Sequence, residues 1–217
     1  MTTNETTTTT ENATETGFCI NPRVLKAATL FMREDSTRPS LTGALFEWDA
    51  EGNLMIVATD GFSMMKWAHK SDNDVVHGPG SVVIPLRGCL AVINEASKQK
   101  NFKRHEEVYV IINEGKARIL ARLTDGNALE NSVLLLDAKY PDWRKIVRMG
   151  NKCKPVKRVG ITPAYFLKFA DAAAIISGES TAPIMEMRFT GEESVVEIRV
   201  PTLGDSFVGY LMPARLT

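Results

Sequence analysis

The same order of predicted elements occurs three times along this chain. In each case a short apolar strand ends at an isoleucine, and a proline follows within two residues where a helix begins. The three starts are Ile20-Asn21-Pro22, Ile84-Pro85 and Ile161-Thr162-Pro163. Proline at the first helical position loses no hydrogen bond, and Asn or Thr before it can cap free N–H groups. Three unrelated α+β segments would share this order only by chance, so we favour repetition.

Each helix is followed by three apolar segments with strand character, which predicts three βαβββ units of about 60–70 residues each. The first unit is predicted from a strand at 18–20, a helix at 23–32 and strands at 41–46, 54–59 and 62–67. The second has a strand at 81–85, a helix at 86–99 and strands at 107–113, 116–123 and 131–137. The third has a strand at 159–161, a helix at 164–176 and strands at 183–189, 194–200 and 206–212. The predicted class is α+β, with helices on one face of antiparallel sheets.

Composition restricts the classes of partner and compartment. Lys plus Arg and Asp plus Glu both number 26, so the chain has no global basic field, although a basic face balanced by acid elsewhere stays open. Three widely spaced cysteines without a CxxC pair favour reduced thiols in the cytoplasm and argue against a metal site. No apolar run reaches the length of a membrane span, and no secretion signal is evident. Residues 1–16 are Thr-rich and polar, which predicts a disordered tail.

Catalytic constellations are not evident in the sequence. Ser206 and His69 have no triad context, and the chain has no glycine-rich phosphate loop. We therefore expect a protein that is not an enzyme and needs no cofactor.

Three short stretches carry a family resemblance. Ala58-Thr59-Asp60-Gly61, preceded by LTGALFE at 41–47, resembles the middle domain of the bacterial DNA polymerase III beta subunit, the sliding clamp. DAKYPDWRK at 137–145 resembles the segment that closes that domain, and LMPARL at 211–216 resembles the end of the last domain. The family's Thr-Asp-Gly motif continues with an arginine. In this chain Phe62, Ser63 and Met64 follow Gly61, so that arginine is absent.

The resemblance extends over 17–217 and implies a DNA-clamp fold in shortened form. The family has three domains of two βαβββ units, whereas about three units are predicted here. Residues 17–148 are then one clamp domain of two units, and 149–217 are half of another.

Clamps of this family bind short peptides of polymerases and clamp loaders in an apolar cleft between the middle and last domains. The resemblance places the cleft at Leu41, Thr59, Gly61, Phe62, Met64, Pro141, Lys145, Ile146, Tyr210, Met212, Pro213 and Ala214. Ordinary packing in the core or in strands is the alternative for each of these residues taken singly.

The family also passes duplex DNA through a hole lined by its helices, with contacts to phosphates and not to bases. The basic candidates on or near the three predicted helices are Arg23, Lys26, Arg33, Arg87, Lys98, Lys100, Lys103, Arg104, Lys152, Lys154, Lys157, Arg158 and Lys168. The alternative is three solvated amphipathic helices.

Two functions follow from the resemblance. The first is a clamp-like processivity factor that binds duplex DNA without sequence specificity and forms a homo-oligomeric ring; a tetramer would assemble twelve units, as closed rings of this superfamily do. The second is a regulatory module that does not encircle DNA and uses the cleft to bind or sequester clamp-binding partners or the clamp itself.

Overall fold

The computed structural model describes residues 15–34, 37–98, 108–122, 126–150, 155–178 and 183–216. The first unit consists of β1 (Thr16–Ile20), α1 (Pro22–Thr29), β2 (Ala44–Trp48), β3 (Leu54–Thr59) and β4 (Ser63–His69). The second consists of β5 (Gly80–Ile84), α2 (Leu90–Ser97), β6 (Val108–Asn113), β7 (Lys116–Arg122) and β8 (Ala128–Leu134). Helix α3 (Trp143–Gly150) precedes the third unit, which holds α4 (Pro163–Ser177), β9 (Glu186–Phe189), β10 (Val196–Arg199) and β11 (Phe207–Leu211). The predicted α+β class is confirmed.

The first two units exchange their first strands. β1 pairs antiparallel with β6, and β5 pairs antiparallel with β2, so each unit supplies one strand to the sheet of the other. The smaller sheet has the order β1-β6-β7-β8. The exchange covers the outer edges of β2 and β6, and it makes the two units interdependent.

The third unit extends the sheet of the first. β11 pairs antiparallel with β4, from Phe207 opposite Trp67 to Leu211 opposite Ser63. The result is a seven-stranded sheet of order β5-β2-β3-β4-β11-β10-β9. This pairing brings the C-terminal end of β11 next to the turn between β3 and β4.

Alternate residues along the strands of the seven-stranded sheet face opposite sides, and each side packs in its own apolar cluster. Phe46, Ile56 and Met65 face a core that includes α1, α2 and α4, in which the Phe31 and Phe169 rings lie 5.0 Å apart. Their sequence neighbours Leu45, Val57 and Met64 belong to a second apolar cluster on the other face, with Trp143 of α3. Helix α3 is therefore separated by the sheet from the other three helices.

Several predicted elements differ from those observed. Leu41 lies in a 3-10 turn, Pro39–Thr42, and not in a strand, because Pro39 fixes the backbone and its carbonyl accepts a hydrogen bond from the Thr42 hydroxyl at 2.7 Å. The predicted second helix begins as a 3-10 turn, Leu86–Cys89, and β8 begins three residues before the predicted strand at 131–137. Helix α3 was not predicted.

The structure also bears on two predictions at the ends of the units. The predicted strand at 159–161 is reduced to a single antiparallel bridge between Gly160 and Ala214. Of the tail predicted at 1–16, residues 1–14 lie outside the described residues, and Thr16 already belongs to β1. Within the described ranges no helix is long and apolar enough to cross a membrane.

Candidate functional site

The turn between β3 and β4 is held by its own side chains. Asp60 Oδ1 accepts hydrogen bonds from the backbone N–H groups of Phe62 and Ser63, at 2.8 and 2.7 Å. The Thr59 hydroxyl donates to the Ser63 carbonyl at 2.9 Å. Gly61 has φ of 94°, a value that glycine adopts without steric cost. This geometry leaves the Phe62 ring half exposed at the end of the turn.

Helix α4 of the third unit contacts this turn through two side chains. Lys168 Nζ lies 2.6 Å from Asp60 Oδ2, and the Phe62 ring stacks on Tyr165 with centroids 5.0 Å apart. Burial alone would raise the pKa of Asp60, but the hydrogen bonds from Lys168 and from the Ser63 and Phe62 backbone outweigh it, so that pKa lies below its ordinary value. The carboxylate is therefore charged and fully bonded at neutral pH.

The segment 137–150 crosses the sheet face that carries the second apolar cluster. The Tyr140 hydroxyl donates to the Val57 carbonyl at 3.0 Å, and burial raises the pKa of that hydroxyl. Trp143 is buried, and its indole N–H donates to Glu47 Oε2 at 3.3 Å. Arg144 lies over the Trp143 ring and pairs with Glu47, and its hydrogen bond holds the pKa of Glu47 below the ordinary value. These contacts fix the start of α3 on the sheet.

The opposite wall comes from the third unit. Tyr210 of β11 is buried, and burial together with the charge of Glu197 raises its pKa to about 12. The Met212 backbone N–H donates to the Phe62 carbonyl at 2.9 Å, which ties the end of β11 to the β3–β4 turn. Gly150 permits α3 to approach β11 closely, because a Cβ at this position would lie 2.8 Å from Tyr210 Cε1.

These three parts enclose a cleft of about 220 Å³. Nine of the twelve residues that the resemblance implied line it, namely Leu41, Thr59, Gly61, Phe62, Met64, Pro141, Ile146, Tyr210 and Met212. Lys145, Pro213 and Ala214 are not among the lining residues. Lys145 is exposed on α3, and the Ala214 N–H is used in the bridge to Gly160. Sequence reasoning missed five lining residues, which are Arg38, Ser63, Asp142, Trp143 and Val195.

The cleft combines an apolar floor with a few polar groups at its edge. Met64, Ile146, Val195 and Met212 supply aliphatic and thioether surface, while Arg38 and Asp142 are charged residues among those that line it. Such a surface suits apolar side chains of a ligand whose backbone finds polar partners at the margin. A second groove of about 610 Å³ lies along β5 and the 137–144 segment, and its lining is more polar.

The basic candidates for DNA contact fall into four groups. Arg23 and Lys26 of α1 line a groove of about 220 Å³ with residues near the C-terminal ends of α2 and α4. Arg33, Lys157 and Arg158 are exposed, and Lys98 is exposed but ion-paired with Glu95 at 2.9 Å. Lys100, Lys103, Arg104, Lys152 and Lys154 lie outside the described residues.

Arg87 and Lys168 have structural partners. Arg87 donates to the carbonyls of Thr29 and Met32, at 3.1 and 3.2 Å, and pairs with Glu34. It thereby binds the C-terminal end of α1, where the carbonyl dipoles attract a cation. Lys168 pairs with Asp60, as described above. Within the described ranges, no group of three or more His, Cys, Asp or Glu side chains has a geometry that would hold a metal ion.

A family model and several solved structures match this chain. Residues 22–142, more than half of the chain, match the family model of the DNA polymerase III beta subunit, central domain. A search of curated proteins found no match.

Among solved structures, the DNA polymerase III subunit beta from Pseudomonas aeruginosa matches with a TM-score of 0.65 and 17% identity, covering 97% of this chain and 69% of that one. A sliding clamp from the same organism bound to griselimycin matches with a TM-score of 0.61 and 14% identity, over 92% of this chain and 65% of that one. The subunit from Borrelia burgdorferi in complex with a natural product matches with a TM-score of 0.63 and 14% identity, over 98% and 67%. This chain thus spans about two thirds of the length of these clamps. From the matched residues and the shared fold, the chain belongs to the DNA polymerase III beta subunit family of sliding clamps.

Proposed function

We propose that this protein is a cytoplasmic, non-catalytic clamp-like processivity factor that captures peptides of polymerases and clamp loaders. The observation that carries the proposal is the convergence of nine implied cleft residues from three separate parts of the chain. Two of the similar solved clamps carry a bound small molecule, griselimycin in one and a natural product in the other. These two clamps accept ligands, and the cleft described above offers a suitable surface here.

The chemistry of the cleft indicates the kind of peptide it takes. Its floor is apolar, so Leu and Phe side chains are the anchors that gain most from burial there. Met64 and Met212 have flexible, polarisable side chains, which adapt to anchors of different shape. Arg38 and Asp142 would then form hydrogen bonds or ion pairs with the backbone of an extended peptide or with its flanking residues.

Contact with duplex DNA is the second part of the proposal. The exposed cations at Arg33, Lys157 and Arg158, with Arg23 and Lys26 of α1, would neutralise phosphates without reading sequence. A homo-oligomeric ring, of which a tetramer is the form with twelve units, would retain the duplex by topology.

Two methionine substitutions test the cleft. Met212→Lys places a charge on its wall, whereas Met149→Lys changes an exposed methionine of α3 that does not line it. With a fluorescent peptide containing Leu and Phe anchors, we expect Met212→Lys to weaken binding at least tenfold and Met149→Lys to change it less than twofold. Equal effects of both substitutions, or no binding by the unmodified protein, would contradict peptide capture in this cleft.

A second candidate is a regulatory module that binds clamp partners, or the clamp itself, without encircling DNA. The structural roles of Arg87 and Lys168 favour it, because both residues were candidates for DNA contact and both are ion-paired within the chain, Arg87 with the exposed Glu34 and Lys168 with the buried Asp60. This module would keep the affinity for peptides and lack retention on circular DNA. Loading on closed and linearised plasmid, followed by gel filtration, distinguishes the two functions.

A further inference from the structure

Strands β1 and β5 occupy equivalent places in the first two units. Each has five residues and ends at an isoleucine, and that isoleucine lies opposite the first residue of the partner strand, β6 for β1 and β2 for β5. The exchange of strands thus relates β1 to β5 residue by residue. Counting back from Ile20 and Ile84 gives two equivalent pairs, Cys19 with Val83 and Gly17 with Ser81.

The outer edge of β1 is closed by two consecutive residues of the segment that follows β4. Val75 and Gly17 exchange two backbone hydrogen bonds, each of 2.8 Å. Asp74 Oδ1 accepts a hydrogen bond from the Cys19 N–H at 2.8 Å, and the Asp74 side chain is buried. An aspartate and the valine after it therefore satisfy three backbone groups on this edge of β1.

The outer edge of β5 is open where β1 is closed. The backbone of Val83 faces this edge, because its carbonyl accepts a hydrogen bond from the Leu136 N–H at 2.9 Å. Alternate residues of a strand direct their backbone groups to the same edge, so the backbone of Ser81 faces it as well. Among the described residues, the Ser81 N–H and carbonyl and the Val83 N–H have no backbone partner at this edge.

The path of the chain after β8 explains the difference between the two edges. The segment 137–144 crosses the sheet face, where the Tyr140 hydroxyl donates to the Val57 carbonyl, and does not return along β5 as Val75 returns along β1. The groove of about 610 Å³ lies between this segment and β5, and the open edge at Ser81 is part of its lining. Unpaired strand edges of this kind accept a further strand.

We propose that this groove binds an extended segment of a partner protein in which an aspartate is followed by a β-branched apolar residue. The aspartate accepts a hydrogen bond from the Val83 N–H, and the next residue exchanges two backbone hydrogen bonds with Ser81. Asp74 and Val75 already make the equivalent contacts with β1, so the occupant of the β5 edge comes from another protein. The site is separate from the candidate cleft and does not depend on peptide capture there.

The lining of the groove suits the residue that follows the aspartate. Residues directly opposite each other in an antiparallel pair project to the same face of the sheet. Since Ser81 lines the groove, the side chain opposite it also enters the groove, where Leu45, Val83 and Leu136 supply apolar surface. β-Branched residues are favoured in strands. The Leu136 backbone occupies the edge at the Val83 carbonyl, so the aspartate stands at the start of the docked segment.

A peptide with the sequence of residues 74–78, Asp-Val-Val-His-Gly, tests the proposal by titration into the ¹⁵N-labelled full chain. We expect saturable binding, with the largest changes in amide chemical shift at Ser81 and Val83 and smaller ones at Gly17 and Cys19. Peptides with alanine in place of the aspartate, or with proline in place of the first valine, should bind at least fivefold more weakly, because each lacks a group that bonds to β5. Equal affinities of the three peptides, or no change at Ser81 and Val83 at millimolar peptide, would overturn the proposal.

Substitutions in the protein locate the same site. Ser81→Asp places a like charge beside the aspartate of the peptide and should weaken binding at least fivefold. Ser132→Asp is the matched control, since Ser132 is an exposed serine of β8 that does not line this groove, and its effect should be less than twofold. Met212→Lys, which alters the candidate cleft, should also change binding less than twofold. Equal effects of the two serine substitutions would overturn the site, and a loss with Met212→Lys as large as with Ser81→Asp would place the peptide in the cleft.

Discussion

The ammonium group of Lys168 lies 2.6 Å from the carboxylate of Asp60, and this pair joins the third unit to the first beside the candidate cleft. The Asp60 side chain is 7% exposed and that of Lys168 is 26% exposed. Asp60 also shapes the turn that presents Phe62. One buried carboxylate therefore holds α4 against the first unit and also fixes the geometry of one cleft wall.

Lys168→Met should destabilise the protein by about 1–3 kcal/mol. Loss of one partner of a fully buried pair costs about 3–5 kcal/mol, but Asp60 keeps its hydrogen bonds from Ser63 and Phe62, and Lys168 is partly solvated. Urea denaturation measures the difference. Lys98→Met removes an exposed pair with Glu95 and should cost less than about 1 kcal/mol. A loss in Lys168→Met no larger than in this control would show that the pair contributes little to stability.

The contribution of Asp60 should depend on pH in a defined direction. Its pKa is lower in the folded protein than the ordinary value of 3.8, so its stabilisation is fully present above that value and is lost as the pH falls through the folded pKa. The difference in unfolding free energy between the unmodified protein and Asp60→Asn should be constant from about pH 7 to pH 5 and should shrink below about pH 4. A difference that grows on acidification would contradict the assignment.

Gly209 permits α4 to pack closely on β11. A Cβ at this position would lie 2.5 Å from Phe169 Cε1, so Gly209→Ala must displace a buried ring. We expect a loss of about 1–3 kcal/mol in thermal or urea unfolding. Gly17→Ala is the control in another strand, because a Cβ there meets nothing within 4 Å, and its effect should stay within about 0.5 kcal/mol. Similar losses in both variants would exclude the contact with Phe169 as the cause.

Local signals in the sequence predicted the elements of the fold well. Asn21 caps α1 as expected, with its side chain accepting from the Arg23 N–H at 2.9 Å. Pro163 opens α4 as expected, but the Thr162 side chain makes no capping hydrogen bond. The exchange of β1 and β5 could not be predicted from such signals, because strand pairing over this distance depends on the packing of whole units. The predicted strand at 159–161 failed for the same reason, since the apolar residues are present but no described strand lies along their second edge.

The candidate cleft was predicted from motifs, and each error in the site prediction has its own cause. Helix α3 was missed, although Trp143, Ile146, Val147 and Gly150 have the spacing of one helical face. Trp143 and Val195 were missed as lining residues because they belong to segments whose place on the sheet depends on tertiary contacts. Lys168 was placed with the DNA candidates, since its partner Asp60 lies 108 residues away in the chain.

Binding of duplex DNA separates the two proposed functions. Lys26→Ala/Arg33→Ala removes one cation of α1 and one from the segment that follows it, whereas Arg118→Ala/Arg122→Ala removes two exposed cations of β7 on the sheet face away from α2. Removal of one cation that neutralises a phosphate should make the slope of log K against log salt concentration shallower by about one. We expect a change of about two for the first pair and none for the second, measured by anisotropy with a labelled duplex. Equal changes would mean that the helices are not the DNA-facing surface, and no binding by the unmodified protein would favour the regulatory module.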